Sequence, residues 1–174
     1  MRVISGKYKG KKLIGDNIEG TRPTMDRVKE SLFAIIQNDI KESICLDLFA
    51  GSGSLGIEAI SNGANTCYFV DKNMNAINAI KENTKGINNI KIIKNDYIKA
   101  LNELKNIKFD VIFLDPPYKM NLIQSSLDKI KENDMLNKNG IIVCESEQEN
   151  FEIDYFILKE KKYGSKNIRI YKNK

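Results

Sequence analysis

Apolar residues along this chain recur at two different periods, and the switching between them predicts an ordered series of elements. Val28, Leu32, Ile35 and Ile36 follow helical spacing behind Thr21-Arg22-Pro23-Thr24, which predicts a first helix with Thr24 as its N-cap. Beyond it, short apolar runs at 44–49, 66–70, 90–94, 109–114 and 140–144 have the length of strands. Between them lie helical patterns at 55–62, 74–85, 97–104 and 122–131, the first two stopped by Gly63 and Gly86. Four strand–helix units in succession, joined by short connections, predict an α/β fold in which an open, mostly parallel sheet carries helices on both faces.

The two ends read differently. Residues 155–159 and 168–171, separated by Tyr163-Gly164-Ser165, predict a closing antiparallel hairpin, and residues 1–14 predict an N-terminal β-hairpin turning at Gly6 and Gly10. No linker or repeat interrupts the chain, so one domain over 1–174 is expected, with 1–20 a basic appendage on a core of 21–174.

Charge sharpens the contrast between ends and middle. The 174 residues carry a net +5, but residues 1–14 alone hold +5 with no acid, and residues 159–174 hold +6. The intervening 144 residues hold 16 basic and 22 acidic groups, a balance of −6. Both ends interleave lysines with apolar and tyrosine positions in strand-like alternation, a suitable surface for phosphates and unstacked bases. Lys, Asn and Ile number 24, 20 and 26, a bias that an AT-rich genome also produces and that dilutes the lysine signal.

Composition then excludes chemistries. With no histidine, every mechanism that needs an imidazole base is ruled out, as are the usual histidine-built zinc sites, and no metal site is expected. Cys45, Cys67 and Cys144 are widely spaced in apolar runs and read as buried, reduced thiols of a cytoplasmic protein. The first residues lack the continuous apolar stretch of a signal peptide or a spanning helix.

In an open α/β sheet, ligands bind beyond the carboxyl ends of the strands, where the strand order reverses. The first strand runs into Asp47-Leu48-Phe49-Ala50-Gly51-Ser52-Gly53-Ser54-Leu55-Gly56, where Gly51 and Gly53 permit a tight turn and Gly56 a close helix–strand approach. Asp71 ends the second strand, 20 residues after Gly51, where a carboxylate accepts ribose hydroxyls. These residues indicate a nucleoside cofactor. Asp47, just before the loop, is poorly placed for a pyrophosphate and well placed for a cationic ligand such as S-adenosylmethionine. Asp96 reads equally as an acceptor for an adenine amine or as the N-cap of the helix that follows.

The sharpest motif is Asp115-Pro116-Pro117-Tyr118, directly after the fourth strand. Two prolines stiffen the segment and restrict Asp115 to extended backbone, so that its carboxylate and the Pro116 carbonyl can converge on one amine. Two acceptors on an exocyclic amine localise its lone pair toward an electrophile, and Tyr118 can stack on an extruded base.

Together these motifs resemble the S-adenosylmethionine-dependent amino-methyltransferases. Three further stretches, 2–13, 21–33 and 163–171, make the chain similar over nearly its whole length to the RsmD-type methyltransferases of small-subunit (16S) ribosomal RNA. Ser5 and Tyr8 stand where that family more often has glycine and tryptophan. The resemblance implies a seven-stranded Rossmann-like class I methyltransferase that modifies the N2 amino group of one guanine in an assembled or assembling small subunit, working as a monomer. It implies catalytic roles for Asp115, Pro116, Pro117 and Tyr118. The cofactor would lie against Arg22, Thr24, Asp47, Phe49, Gly51, Gly53, Asp71, Lys72, Asp96 and Tyr97, with Asp96 facing the adenine. RNA would meet Arg2, Lys7, Tyr8, Lys9, Lys11, Lys12, Lys166 and Arg169.

Other classes share parts of this pattern. Amino-methyltransferases of DNA adenine or cytosine, or of protein glutamine, present the same amine chemistry. A nicotinamide-dependent oxidoreductase accounts for the glycine loop alone, and a non-catalytic RNA-binding module for the basic ends alone.

Overall fold

Residues 111–114 alternate: Val111 and Phe113 join one buried cluster, Ile112 and Leu114 another, as required of a strand covered on both faces. A computed structural model describes residues 1–15, 22–117, 122–147 and 151–173, the side chains of 22–24 and 156 excepted. Its elements are α1 (Arg22–Ile40), β1 (Ile44–Asp47), α2 (Ser54–Ser61), β2 (Thr66–Asp71), α3 (Met74–Asn83) and β3 (Ile90–Lys94). They continue with α4 (Tyr97–Glu103), β4 (Phe109–Leu114), α5 (Leu122–Glu132), β5 (Leu136–Ser146), β6 (Phe156–Tyr163) and β7 (Lys166–Lys172).

The strands form one seven-stranded sheet in the order β3-β2-β1-β4-β5-β7-β6. β1 to β5 are parallel, and β7 runs antiparallel to both β5 and β6. The order reverses between β1 and β4, which sets the crevice of a Rossmann-like sheet at their carboxyl ends. One apolar cluster packs α1, α2, α3, Val3 and Leu13 on one face, and a second packs α4 and α5 on the other. All three cysteines are buried and free, and burial pushes the Cys45 thiol up to about 12.

Several expectations are corrected. α1 begins at Arg22, so Thr24 lies inside its first turn and is not the N-cap, while Pro23 occupies a first-turn position that needs no N–H. The N-terminal segment does not form two strands: a single bridge joins Arg2 to Lys12, with Gly6 and Gly10 at positive φ as turn residues. The Val3 and Leu13 amides donate across this bridge to the Lys11 and Met1 carbonyls, while those of Ile4 and Ser5 go to Glu58 and those of Lys7 and Tyr8 to Ser61. β5 begins at Leu136 rather than 140, because Leu136 pairs with Phe109 before an irregularity in which the Asn137 amide donates to Asp110.

Gly56 fixes how closely α2 approaches β2. A Cβ there would stand 2.3 Å from Cε1 of Phe69 and 2.7 Å from Sγ of Cys67, both in the sheet. Gly56→Ala is therefore expected to destabilise the protein by about 1–3 kcal/mol despite alanine's better helix propensity. Urea denaturation of the two proteins measures it, and an unchanged or higher midpoint would contradict the packing described.

Candidate functional site

Four adjacent parallel strands bring most of the expected site residues to one edge of the sheet. Phe49, Gly51 and Gly53 follow β1, which ends on Asp47, and Lys72 follows β2, which ends on Asp71. Asp96 and Tyr97 follow β3, and Asp115 to Pro117 follow β4. Asp47 and Phe113 are paired residues of β1 and β4, and the Leu48 amide donates to the Phe113 carbonyl at 3.2 Å. Asp115 thus lies two residues beyond the partner of Asp47, at the point where the strand order reverses.

The glycine turn is held at both ends by carboxylates. Asp47 Oδ2 accepts the Gly56 amide at 3.0 Å, and Asp71 Oδ2 accepts the Gly51 amide at 2.9 Å. Gly51 has φ +54 and Gly53 φ +80, which only glycine adopts freely, and the Gly53 amide closes the turn on the Ala50 carbonyl at 2.7 Å. A Cβ built on Gly51 would meet nothing within 4 Å, so the turn borders open space. Asp71 Oδ1 also accepts the Asn73 amide, yet each oxygen retains a second lone pair.

The other positions differ in character. Asp96 is the N-cap of α4, its Oδ1 accepting from the Ile98 amide at 3.0 Å. Phe49 packs on the Tyr97 ring at 5.5 Å between centroids, and the Tyr97 hydroxyl pairs with Ser125 at 2.8 Å. Lys72 is exposed, Asp115 half-buried, Pro116 buried and Pro117 exposed. Tyr118 lies outside the described residues, as do the side chains of Arg22 and Thr24.

The expected RNA-contacting residues divide into two groups. Lys7, Lys9 and Lys12 are exposed, Lys7 lying 5.3 Å from the centroid of the Tyr8 ring. Exposed Arg2 approaches Asp26 at 3.6 Å, and Lys11 donates to the Lys85 carbonyl at 3.2 Å. Tyr8 is partly buried against the core. In the C-terminal hairpin, Lys166 is paired with Glu145, and Arg169 Nε lies 2.7 Å from Glu160 and its guanidinium 5.6 Å from the Phe151 ring centroid. The exposed cations of that hairpin are Lys159 and Lys162.

Three residues escaped sequence reasoning. Asp26 Oδ1, in the first turns of α1, is buried without a partner among the described residues, and Lys29 one turn later donates to Ser54 at the start of α2. Glu58 is wholly buried in the same helix. A charged residue inside the otherwise apolar stretch of α2 is the signal that could have revealed it.

Burial dominates the state of Asp47. It is 2 % exposed, and loss of solvent raises its carboxyl to about 7, with the negative charge of Asp71 adding and the Gly56 amide opposing. The folded protein therefore holds a proton there that the unfolded chain releases near pH 4, so stability falls as pH rises between about 4 and 7. Asp47→Asn keeps an acceptor for Gly56 and removes the charge. Ligand-free wild-type protein is expected to lose about 2–3 kcal/mol more than the variant between pH 5 and pH 8. Urea titrations at both pH values measure it, and parallel pH profiles would refute the assignment.

Comparison with known proteins agrees with this geometry. The family model described as Conserved hypothetical protein 95 matches residues 1–172. Ribosomal RNA small subunit methyltransferase D of Haemophilus influenzae is 38% identical over 99% of this chain and 94% of its own. A solved chain from Escherichia coli superposes with a TM-score of 0.89 at 29% identity, covering 100% of this chain and 98% of that one. The fold extends to a Thermus thermophilus 16S rRNA N2 methyltransferase solved with AdoMet and guanosine, with a TM-score of 0.72 at 16% identity over 92% of this chain and 45% of that one. Sheet order, carboxylate-pinned glycine turn and full-length similarity lead to one conclusion: the chain belongs to the Conserved hypothetical protein 95 family, that of the RsmD-type ribosomal RNA methyltransferases.

Proposed function

We propose that this protein transfers a methyl group from S-adenosylmethionine to the exocyclic N2 amine of a guanine in small-subunit 16S rRNA, in the cytoplasm where subunits are assembled. The observation that carries it is the placement of Asp115-Pro116-Pro117 beside the buried Asp47 and the pinned glycine turn, at the reversal of strand order.

The residues present suit the cofactor. The open space in front of Gly51 gives its ribose and methionine portion room beside the turn, with Asp71 accepting the ribose hydroxyls through its remaining lone pairs. The buried carboxylate of Asp47 and the unpartnered Oδ1 of Asp26 are acceptors matched to an ammonium. Phe49 and Tyr97 form an aromatic wall near Asp96, where a purine ring stacks. When bound, S-adenosylmethionine supplies a methyl carbon activated by a sulfonium, which departs as a neutral thioether.

The chain's own residues then act on the amine. The Asp115 carboxylate and the Pro116 carbonyl accept its two hydrogens, which turns the nitrogen lone pair toward the methyl carbon. Asp115, or water, would take the surplus proton of the amine once it carries the methyl group that the cofactor would supply. Positioning supplies most of the acceleration, in keeping with a sequence that has no histidine. Tyr118 stacks on the extruded base, and the exposed Lys7, Lys9 and Lys12 hold phosphates.

Asp115→Ala is expected to lower methyl transfer to unmodified small subunits about 100- to 1,000-fold while cofactor affinity stays within about threefold. Labelled S-adenosylmethionine followed by nucleoside digestion measures both the rate and the product. Label in DNA or in protein glutamine, or unimpaired transfer by the variant, would overturn the proposal.

A further inference from the structure

The N-terminal segment carries five cations over residues 1–14 and is closed on itself by the Val3 amide on the Lys11 carbonyl and the Leu13 amide on the Met1 carbonyl, while Asn83 holds Ile14. Its buried apolar anchors are Val3 and Leu13. The stretch that leads from the bridge to the lysines is fastened by a charged side chain of α2. Glu58 is 0 % exposed, and its carboxylate accepts the Ile4 amide at 2.9 Å through Oε2 and the Ser5 amide at 2.8 Å and Ser5 hydroxyl at 3.0 Å through Oε1. Its counter-ion is Lys29 of α1, 6 % exposed, whose Nζ lies 3.1 Å from Oε2. The same Nζ donates to the Arg2 carbonyl at 2.8 Å and to the Ser54 hydroxyl at 2.9 Å.

One buried ion pair thus touches three things: the backbone of the basic segment at Arg2, Ile4 and Ser5, helix α1, and the first residue of α2 next to the glycine turn. Such a pair is costly to bury and is retained where its geometry is needed, since either partner alone would be an uncompensated charge. The neighbouring contacts point the same way. Gly6 sits so close to α2 that a Cβ would stand 1.9 Å from the Ser61 carbonyl oxygen, and the Lys7 amide donates to that oxygen at 2.8 Å. Lys7, Lys9 and Lys12 are left pointing to solvent from a backbone that is itself fixed.

Resting on the methyltransferase activity proposed above, we infer that Glu58, paired with Lys29, is the positioning residue that holds the lysine-bearing N-terminal segment rigid relative to the cofactor turn, so that RNA phosphates and the methyl-donor site are presented in one fixed register. Neither residue touches RNA. They act through the backbone of residues 2–5 and through Ser54. A segment held this way binds RNA without first losing conformational freedom.

Glu58→Gln tests this. The amide places a donor where one carboxylate oxygen now accepts, against the Ile4 and Ser5 amides or against Lys29. Hydrogen exchange of residues 3–14 is expected to accelerate about 100-fold. The Kd for labelled small-subunit rRNA and the KM for unmodified subunits should each rise about tenfold, with kcat and the Kd for S-adenosylmethionine within about twofold of wild type. Unchanged exchange, unchanged RNA affinity, or a loss of cofactor affinity as large as the loss of RNA affinity would each overturn the inference. Should Glu58→Gln not fold, Ser5→Ala decides: it removes one ligand of Glu58 and leaves the ion pair, and it should weaken RNA binding about threefold with faster exchange at residues 4–5. No change in either quantity would refute the anchor. If wild-type protein binds the rRNA but methylates nothing, the proposed activity falls while the exchange and binding arms still judge the anchor.

Discussion

Everything at the ligand edge depends on a glycine turn stapled at both ends. Asp47 takes the amide of Gly56, inside α2, and Asp71 takes the amide of Gly51, at the end of β1. The two carboxylates belong to neighbouring strands whose register sets Asp47 opposite Phe69, two residues before Asp71. The turn's shape is therefore an outcome of sheet pairing, and α2 can start only where that pairing puts it. Gly56 completes the constraint, because α2 lies against Phe69 and Cys67 at a distance that admits no side chain. A wider spacing would slacken the Asp47–Gly56 bond and with it the open space before Gly51.

How much of this was legible in the sequence varies with the kind of interaction. The strand–helix series was readable because period and turn residues are local, and residues 90–94 and 109–114 are strands to the residue. The approach of α2 was readable from Gly56, since a glycine inside a helix pattern has a packing reason. Other features depended on pairings that the linear pattern does not display. The alternation of residues 1–14 resembles paired strands, but the pairing stops at the Arg2–Lys12 bridge, because Glu58 and Ser61, more than fifty residues distant, take the amides of Ile4, Ser5, Lys7 and Tyr8. The cations of the last strand looked free for phosphate, yet antiparallel register sets Arg169 directly across from Glu160. Residues 136–139 carry no strand pattern of their own, and the pairing of Leu136 with Phe109 makes them strand.

The charge distribution takes on a different meaning once these pairs are placed. Net charge by segment treats Lys166 and Arg169 as equivalent to Lys7 and Lys9, but the former are paired with Glu145 of β5 and Glu160 of β6 and the latter face solvent. Among the described residues, the exposed cations of the two ends are thus those of the N-terminal segment and Lys159 and Lys162, and the N-terminal segment packs on the same sheet face as α1, α2 and α3.

Asp47 connects stability to the proposed chemistry. A carboxyl kept near neutral pH by burial is poorly served by the empty protein, which must either retain a proton or leave a desolvated charge beside Asp71. A cationic ligand removes that conflict, because a positive charge nearby favours the ionised form and pulls the pKa down. Binding at neutral pH is then linked to release of a fraction of a proton, and part of the attraction for the ligand is relief of a cost built into the fold. A pyrophosphate at the same place would add a third negative group to Asp47 and Asp71. The buried acid thus disfavours a dinucleotide on electrostatic grounds alone, where the glycine pattern by itself does not discriminate.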